Sequence, residues 1–539
     1  MAALSRRQML SALGLGWLVD ASLPARRTLE GAVVGADLRL GHALRDGVDR
    51  ELPRAAPERA EVVIVGSGVS GASAAWRLAA SGVGAELLEL EPFAGGTSAW
   101  GEDGVVAHPW GAHYLPVPEP TARAPLRLLA ELGVLTGWDA AGRALYDETR
   151  LCHAPEERLF HRGRWHRGLE SGDVLSAAEK DELARFHERM SVFSGAVGAD
   201  GRPAFAIPCA ESSRDAAWLA LDELTMDAWL AREGFTTSYL RWYVEYATRD
   251  DFGADLTDVS AWAALHYFAS RRQRTEQTLR GSRYLVWPEG NGRLVRHMLE
   301  RSGARRRHRH VVLGVEATRT GVAVEALDAT VGEAPVLRRI EARAAILAVP
   351  GFIAARIARG ARGLIARPAS PWLVANLHVT RPVEADRAWD SVLYEALGLG
   401  YVDAGHQRMG LSEQTVLTYF RAYGGAEMAA TRGQLAARRW GELAADVLVD
   451  LAAAHPELGE QTSRLDCMVW GHAMPRPRPG FLRATTQPFE PAVLIADQVA
   501  WAHVDQTGLA LFEEANTHGV RAAEAVLAQL GVAASDSWI

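Results

Sequence analysis

Val62-Val63-Ile64-Val65-Gly66-Ser67-Gly68-Val69-Ser70-Gly71 is an apolar, β-branched run that passes straight into G-x-G-x-x-G. Such a run reads as a buried strand feeding a tight turn and then a helix. The first glycine permits the turn, the second lets the backbone approach a pyrophosphate, and the third allows the helix to pack closely on the strand. The diphosphate then rests on free N–H groups at the helix N-terminus. Ala72-Ser73-Ala74-Ala75-Trp76-Arg77-Leu78-Ala79-Ala80 continues as a helix that stops at Ser81-Gly82, and Ala85-Glu86-Leu87-Leu88-Glu89 reads as a second strand. Glu89 stands at its end, where a carboxylate accepts hydrogen bonds from a ribose diol. Gly66, Ser67, Gly68, Gly71 and Glu89 therefore form a dinucleotide site, and alone they do not say which dinucleotide binds.

At 539 residues the chain exceeds what one compact core supports, so two or more domains, interleaved in sequence, are expected. The formal charge of −8 supplies no basic face, which sets nucleic acid aside as a partner. Lys180 is the only lysine, which removes most lysine-based chemistry. Cys152, Cys209 and Cys467 are far apart and odd in number, so they read as inert buried thiols, and no metal-ligand spacing is present. Ser5-Arg6-Arg7-Gln8-Met9-Leu10, followed by a modestly apolar stretch and Ala21-Ser22-Leu23-Pro24-Ala25, is similar to a twin-arginine export signal with Met9 in the slot usually held by Phe. The expected location is periplasmic. No run of about 18 apolar residues occurs, so no membrane-spanning helix is expected in the mature chain, and a peripheral membrane association stays open.

Composition and periodicity divide the chain into a signal over 1–27, an extended arm over 28–57, nucleotide-binding segments at 58–123, 285–350 and 466–539, and substrate-side segments at 124–284 and 351–465. From 124 to 284 the text is helical in period and dense in aromatics, which reads as core. Trp287-Pro288-Glu289-Gly290-Asn291-Gly292 opens a helix, and Val311-Val312-Leu313-Gly314-Val315 and Ala344-Ala345-Ile346-Leu347-Ala348-Val349-Pro350 read as strands returning to the nucleotide domain. Val493-Leu494-Ile495-Ala496-Asp497 precedes a long Ala-rich helix.

Taken in order, Gly95-Gly96-Thr97 after the ribose acid, Val311-Val312, Ile346-Leu347-Ala348-Val349-Pro350, and the block from Leu494 through Asp497 and Gly508 to Ala523 resemble the flavin-dependent amine oxidase and phytoene desaturase superfamily. The resemblance implies an α/β chain: a Rossmann-like, glutathione-reductase-like FAD-binding domain interleaved with a mixed α+β substrate domain. It implies FAD as cofactor, with Gly95, Gly96 and Thr97 beside its phosphate and ribityl groups, the Val312 backbone at the adenine, and Asp497 at the ribityl hydroxyls. Thr97-Ser98 stand where an Arg often follows the glycines, and Glu514 stands where the superfamily usually has Gly.

Trp110-Gly111-Ala112-His113-Tyr114 and Val469-Trp470-Gly471-His472 fall where the resemblance places residues along the flavin ring and the cavity above it. His113, Trp470 and His472 are thus the candidate catalytic residues, the histidines as proton carriers and Trp470 as a wall of a dry pocket. The implied activity is removal of a hydride equivalent from a C–N or C–C bond of a small-molecule substrate, with oxygen or a quinone as later electron acceptor. A lysine near the flavin, common in the amine oxidases of the superfamily, has no counterpart when Lys180 lies in a polar helical run. An FAD-binding scaffold without turnover and an NAD-dependent dehydrogenase remain the competing readings.

Overall fold

The structure, a computed structural model, describes residues 29–49, 51–102, 106–172, 174–271, 282–330, 332, 334–358, 360–361, 363–380, 387–408, 414–425, 427–483, 494–496, 498–533 and 536–539. The twin-arginine stretch and Asp497 lie outside them.

The strand Glu58–Val65 is central because its last four residues are fully or nearly fully buried on both faces, as a parallel strand between two layers must be. Ala85–Leu88 pairs along one edge and Val336–Leu347 along the other, both parallel. Arg305–Arg307 extends the sheet beyond Ala85–Leu88, and Val499–Trp501 extends it beyond the C-terminal half of Val336–Leu347. In chain order the five parallel strands therefore lie third, second, first, fourth, fifth, the doubly wound arrangement whose switch point sits beside the first strand. His310–Ala317 and Val322–Asp328 form an antiparallel meander on the N-terminal half of the fourth strand. Helices Val69–Ala79, Gly292–Ser302 and Phe512–Gln529 cover one face, their Leu78, Leu294, Val295, Val520 and Val526 joining Val62 and Ile64 in one core.

Among the described residues, Leu494–Ala496 pairs with Val499–Trp501, antiparallel, as the outer arm of a hairpin. Val499–Trp501 fills the fifth place, so the residues leaving the carboxyl end of that strand are Ala502, His503, Val504 and Asp505.

The second unit is an eight-stranded mixed sheet running Val33–Val34, Thr462–Pro475, Ala369–Val379, Thr415–Ala422, Gly400–Asp403, Asp390–Leu393, Glu157–His161 and Arg164–Arg167. Alternation along Ala369–Val379 divides its faces. Leu373, Ala375 and Leu377 meet helix Trp440–Leu451, while Trp372 and Val374 turn toward the nucleotide domain with Trp110, Phe420 and Met468. Residues 124–284 are less purely helical than their periodicity suggests, holding Leu135–Trp138, Ala144–Tyr146, Glu157–His161 and Arg164–Arg167 besides helices such as Ser238–Phe252. Trp229, Tyr239 and Trp262 are core as expected. The architecture is thus a Rossmann-like domain interleaved with an α+β unit.

The arm is not simply extended. It contributes Val33–Val34 to the edge of the second sheet and then the helix Leu38–Asp46 on the nucleotide domain, with Leu40 as its one buried residue. No helix among the described residues is long and apolar enough to cross a membrane.

Candidate functional site

The glycine turn has the geometry its spacing requires. Gly66 has φ of +95°, and a Cβ on it would come within 2.5 Å of the Ala348 carbonyl oxygen. A Cβ on Gly71 would lie 2.0 Å from the Gly66 carbonyl oxygen, so helix Val69–Ala79 reaches its seat only without one. A Cβ on Gly68 would meet nothing closer than 3.8 Å, which makes its surface the open floor of a cradle. Gly95 and Gly96, both at positive φ, form the facing wall: Gly68 and Gly95 are bridged, and the Gly95 N–H donates to the Ser67 carbonyl at 3.0 Å.

Glu89 is pinned to this turn. Its Oε2 accepts from the Ser67 N–H at 2.8 Å and the Ser67 hydroxyl at 2.6 Å, and its Oε1 accepts from the Glu91 N–H at 2.9 Å. A carboxylate accepts about four hydrogen bonds, so Oε1 keeps capacity for a ribose hydroxyl. The Glu89 carbonyl accepts from the His310 N–H at 2.8 Å, which brings the strand carrying Val312 alongside, with a bulge between Val312 and Gly314. Gly66, Ser67, Gly68, Gly71, Glu89, Gly95 and Gly96 thereby come together beyond the carboxyl end of the central strand, with the strand carrying Val312 beside Glu89, as a cradle for a dinucleotide requires. At the fifth strand, the Asp505 carboxylate accepts from the Gly351 N–H at 2.8 Å. Burial works to raise Asp505, but His503 and that N–H more than offset it and hold it below the usual carboxylate range.

From the glycine pair the chain leads to a cavity. The Thr97 carbonyl accepts from the Ala112 N–H at 2.8 Å, and a Cβ on Gly111 would lie 2.1 Å from that same oxygen, so His113 is delivered at a fixed distance from Gly95-Gly96. His113 stacks on Phe420 with centroids 4.4 Å apart, and its Nδ1 is 3.2 Å from the Gly111 carbonyl. Burial holds it down at about 4, so the ring is neutral at neutral pH. Trp470 donates from Nε1 to the Trp110 carbonyl at 2.7 Å and is not among the residues lining the cavity beside His113.

The cavity, about 30 Å³, is lined by His113, Tyr114, Tyr246, Tyr267, Tyr284, Trp389, Phe420 and three carboxyl groups, Glu157, Asp250 and Asp390. Asp390 and Glu157 are register partners on adjacent parallel strands, so their side chains share a face. Asp250 follows Tyr246 by one helical turn on Ser238–Phe252. Tyr114 donates to Asp250 at 3.0 Å and Tyr246 to Asp390 at 3.1 Å. Burial, with Asp251 beside it, lifts Asp250 to about 7; burial, with Glu156, lifts Glu157 to about 7; burial, with Glu157, lifts Asp390 well above the carboxylate range. Among the described residues, no Lys or Arg lines the cavity. Arg271 sits outside it, 3.8 Å from Asp251, and Lys180 is exposed on its helix.

Tyr114 belongs to the block the sequence placed beside the ring; the three acids and the other tyrosines were not among the candidates from sequence. Tyr246 and Tyr267 were read as core, but they face the cavity. The available signal was Tyr246 and Asp250 at i and i+4 on a helix otherwise buried on that side.

His472 is placed elsewhere. It lines a second, more open cleft of about 390 Å³ with Phe352, Arg367, Met428 and Arg432, its ring 4.8 Å from that of Phe352. Burial, with Arg432 and His42, lowers it to about 4. His113 and His472 therefore do not share a pocket. Glu514, the residue in the usual glycine position, turns its carboxylate away into the core, accepting from the Cys209 N–H and the Thr507 hydroxyl.

Residues 64–132 match the family model of an NAD(P)-binding Rossmann-like domain. No curated protein matches the chain in sequence. Among solved structures, a putrescine oxidase bound to putrescine is similar with 18% identity and a TM-score of 0.60, covering 88% of this chain and 100% of its own. A cyclohexylamine oxidase from Brevibacterium oxydans is similar with 18% identity, a TM-score of 0.61 and the same coverage of both chains. A CLA-producing fatty acid isomerase from P. acnes follows with 11% identity, a TM-score of 0.58, and 88% and 99% covered. The likeness is one of fold, over nearly the whole chain.

Proposed function

We propose that the protein is an FAD-dependent oxidoreductase that oxidises the C–N bond of a small cationic amine. The observation that carries this reading is the cavity at His113, where three buried carboxyl groups stand among aromatic rings and the described lining holds no Lys or Arg. Buried carboxylates are retained where a partner cation compensates them, and aromatic faces attract ammonium groups as well. A desaturase acting on a lipophilic chain calls for an apolar tunnel, and this lining is the opposite. That solved amine oxidases share the fold supports the same choice.

The residues that fit FAD are those of the cradle: Gly68 and Gly95-Gly96 at the diphosphate, Glu89 at the ribose, the Val312 backbone at the adenine. The flavin supplies, when bound, the acceptor for the hydride equivalent that leaves the carbon next to nitrogen. The chain's own groups do the rest. Asp250, Asp390 and Glu157 face the ammonium group, and the aromatic rings around them exclude water. Asp250 and Glu157, both near 7, exchange a proton with the amine close to neutral pH, whereas His113 stays neutral until about pH 4.

Purified protein is expected to show the two absorbance bands of oxidised flavin, and anaerobic addition of a primary amine is expected to bleach the longer-wavelength band. Protein that never retains flavin, or flavin that no amine reduces, refutes the reading. We also propose export by the twin-arginine route. The double substitution Arg6→Lys, Arg7→Lys should leave the protein in the cytoplasmic fraction; unchanged export would remove that part.

A further inference from the structure

The arm between the export signal and the first nucleotide-binding strand is fastened to both domains. On the substrate sheet, Val33 and Val34 are register partners of Cys467 and Met468. The Leu465 and Cys467 N–H groups donate to the Glu30 and Ala32 carbonyls, each at 2.9 Å, and the Ala32 N–H donates to Asp466 at 2.9 Å. Gly35, at φ of +93°, then crosses against the Met468 side chain so closely that a Cβ would lie 2.6 Å from its methyl carbon.

On the nucleotide domain, Asp37 makes the attachment. Its N–H donates to Glu91 Oε2 at 3.0 Å, and its carboxylate accepts from Arg309 at 3.0 Å and caps the following helix through the Leu40 N–H at 3.1 Å. Leu40 is buried against Val311, Leu327 and Leu337. Glu91 in turn donates its N–H to Glu89 Oε1. The arm thus reaches the ribose acid through one intervening residue, and its helix packs on Val311, the neighbour of Val312.

We propose that residues 30–48 are a strap that closes over the adenosine end of the dinucleotide once it is loaded, with Asp37 positioning Glu89 through Glu91, and that the strap sets the rate at which the cofactor leaves. The inference rests on the dinucleotide reading of the Gly66 turn. Two features mark the segment as separable from the domains it joins. Its strand is two residues long at a sheet edge, and its helix fully buries only Leu40, with Val34 and Leu44 half-buried against the domains, so it can detach with little change inside either core. Its contacts on the nucleotide side fall on the residues flanking Glu89 and Val312, where a ligand entering from solvent would have to pass.

The test uses the full chain reconstituted with FAD, with release followed by the rise in flavin fluorescence on dilution. Leu40→Asp, which places a charge in the small apolar seat, should release FAD at least tenfold faster. Its arm should also be cut by trypsin at Arg39 or Arg45 under conditions that spare the wild type. A second variant works in the opposite sense. Val33→Cys sets a thiol at the register partner of the native Cys467. Oxidised after loading, it should slow release at least tenfold; oxidised before loading, it should slow uptake. Release and uptake rates that ignore both variants, with the arm shown by trypsin to be free in the first, overturn the strap. A wild type that takes up no flavin overturns the cofactor reading along with it, and uptake with strap-independent rates overturns the strap alone.

Discussion

Asp250→Asn should make the protein more stable and a poorer binder of amines, and both effects should be largest above about pH 7, where the wild-type carboxyl is charged. Asp250 is raised from 3.8 to about 7 in the folded chain by burial and by Asp251. The folded state therefore binds more protons than the unfolded state between those values, so stability falls as pH rises through that window and levels off above about 7. The penalty at pH 7 and above is on the order of 4 kcal/mol. Asn keeps the shape and still accepts from the Tyr114 hydroxyl, but its amide hydrogens must find partners, which returns about 1–3 kcal/mol of the gain. A net stabilisation of about 1–3 kcal/mol is expected at pH 8, turning into a net destabilisation of about 1–2 kcal/mol near pH 4, where the folded acid is protonated and little of the ionisation penalty remains. Removing one carboxylate from a buried cation site costs about 2–5 kcal/mol, or roughly thirtyfold to several thousandfold in amine affinity. Thermal unfolding at pH 4, 6 and 8, paired with anaerobic amine titration, reads both quantities. An Asn variant less stable than wild type at pH 8, or one with undiminished amine affinity, refutes the assignment of Asp250 to a cation cavity.

The amine specificity profile, kcat/KM against pH, should rise through about 7 as Asp250 and Glu157 lose their protons while the substrate keeps its own; a rise centred near 4 would transfer the titration to His113. Gly71→Ala should lose flavin and at least about 2 kcal/mol of stability, because the added carbon falls 2.0 Å from a backbone oxygen that cannot move without the turn itself; normal flavin content by absorbance contradicts this. His472→Ala should leave amine affinity unchanged, since its ring lies in the second cleft, and a tenfold loss measured by titration would place it back at the cavity.

The cradle was legible in the sequence because each of its parts is a local demand. Gly66 answers to its own backbone conformation, Gly71 to clearance from the Gly66 carbonyl within six residues, and Glu89 to the length of one helix and one strand. Short-range sterics leave so few alternatives that spacing alone is enough. The fifth strand shows where this stops. Residues 493–496 and Val499–Trp501 are both short apolar runs before the same helix, with equal local claims on the place beside Val336–Leu347. The pairing of Ala345, Ile346 and Leu347 with Val499, Ala500 and Trp501 decides it, across more than 150 residues, and no local pattern records that choice.

The amine cavity was hidden for the same reason in stronger form. Glu157, Asp250 and Asp390 come from a strand, a helix and another strand, each unremarkable where it stands, and they converge only because Asp390–Leu393 runs parallel to Glu157–His161 in register. That convergence is itself the argument for function. Like charges paired across strands are destabilising, and burial compounds the effect, so a fold serving stability alone would place Ser, Thr or an apolar residue at one of these positions. Two of the three acids accept a tyrosine hydroxyl, which favours the charged form slightly yet leaves both far above an ordinary carboxylate. Arg271 offsets Asp250 and Arg283 offsets Glu157 only in part, and in the proposed reading a bound ammonium group beside His113 supplies the remaining positive charge.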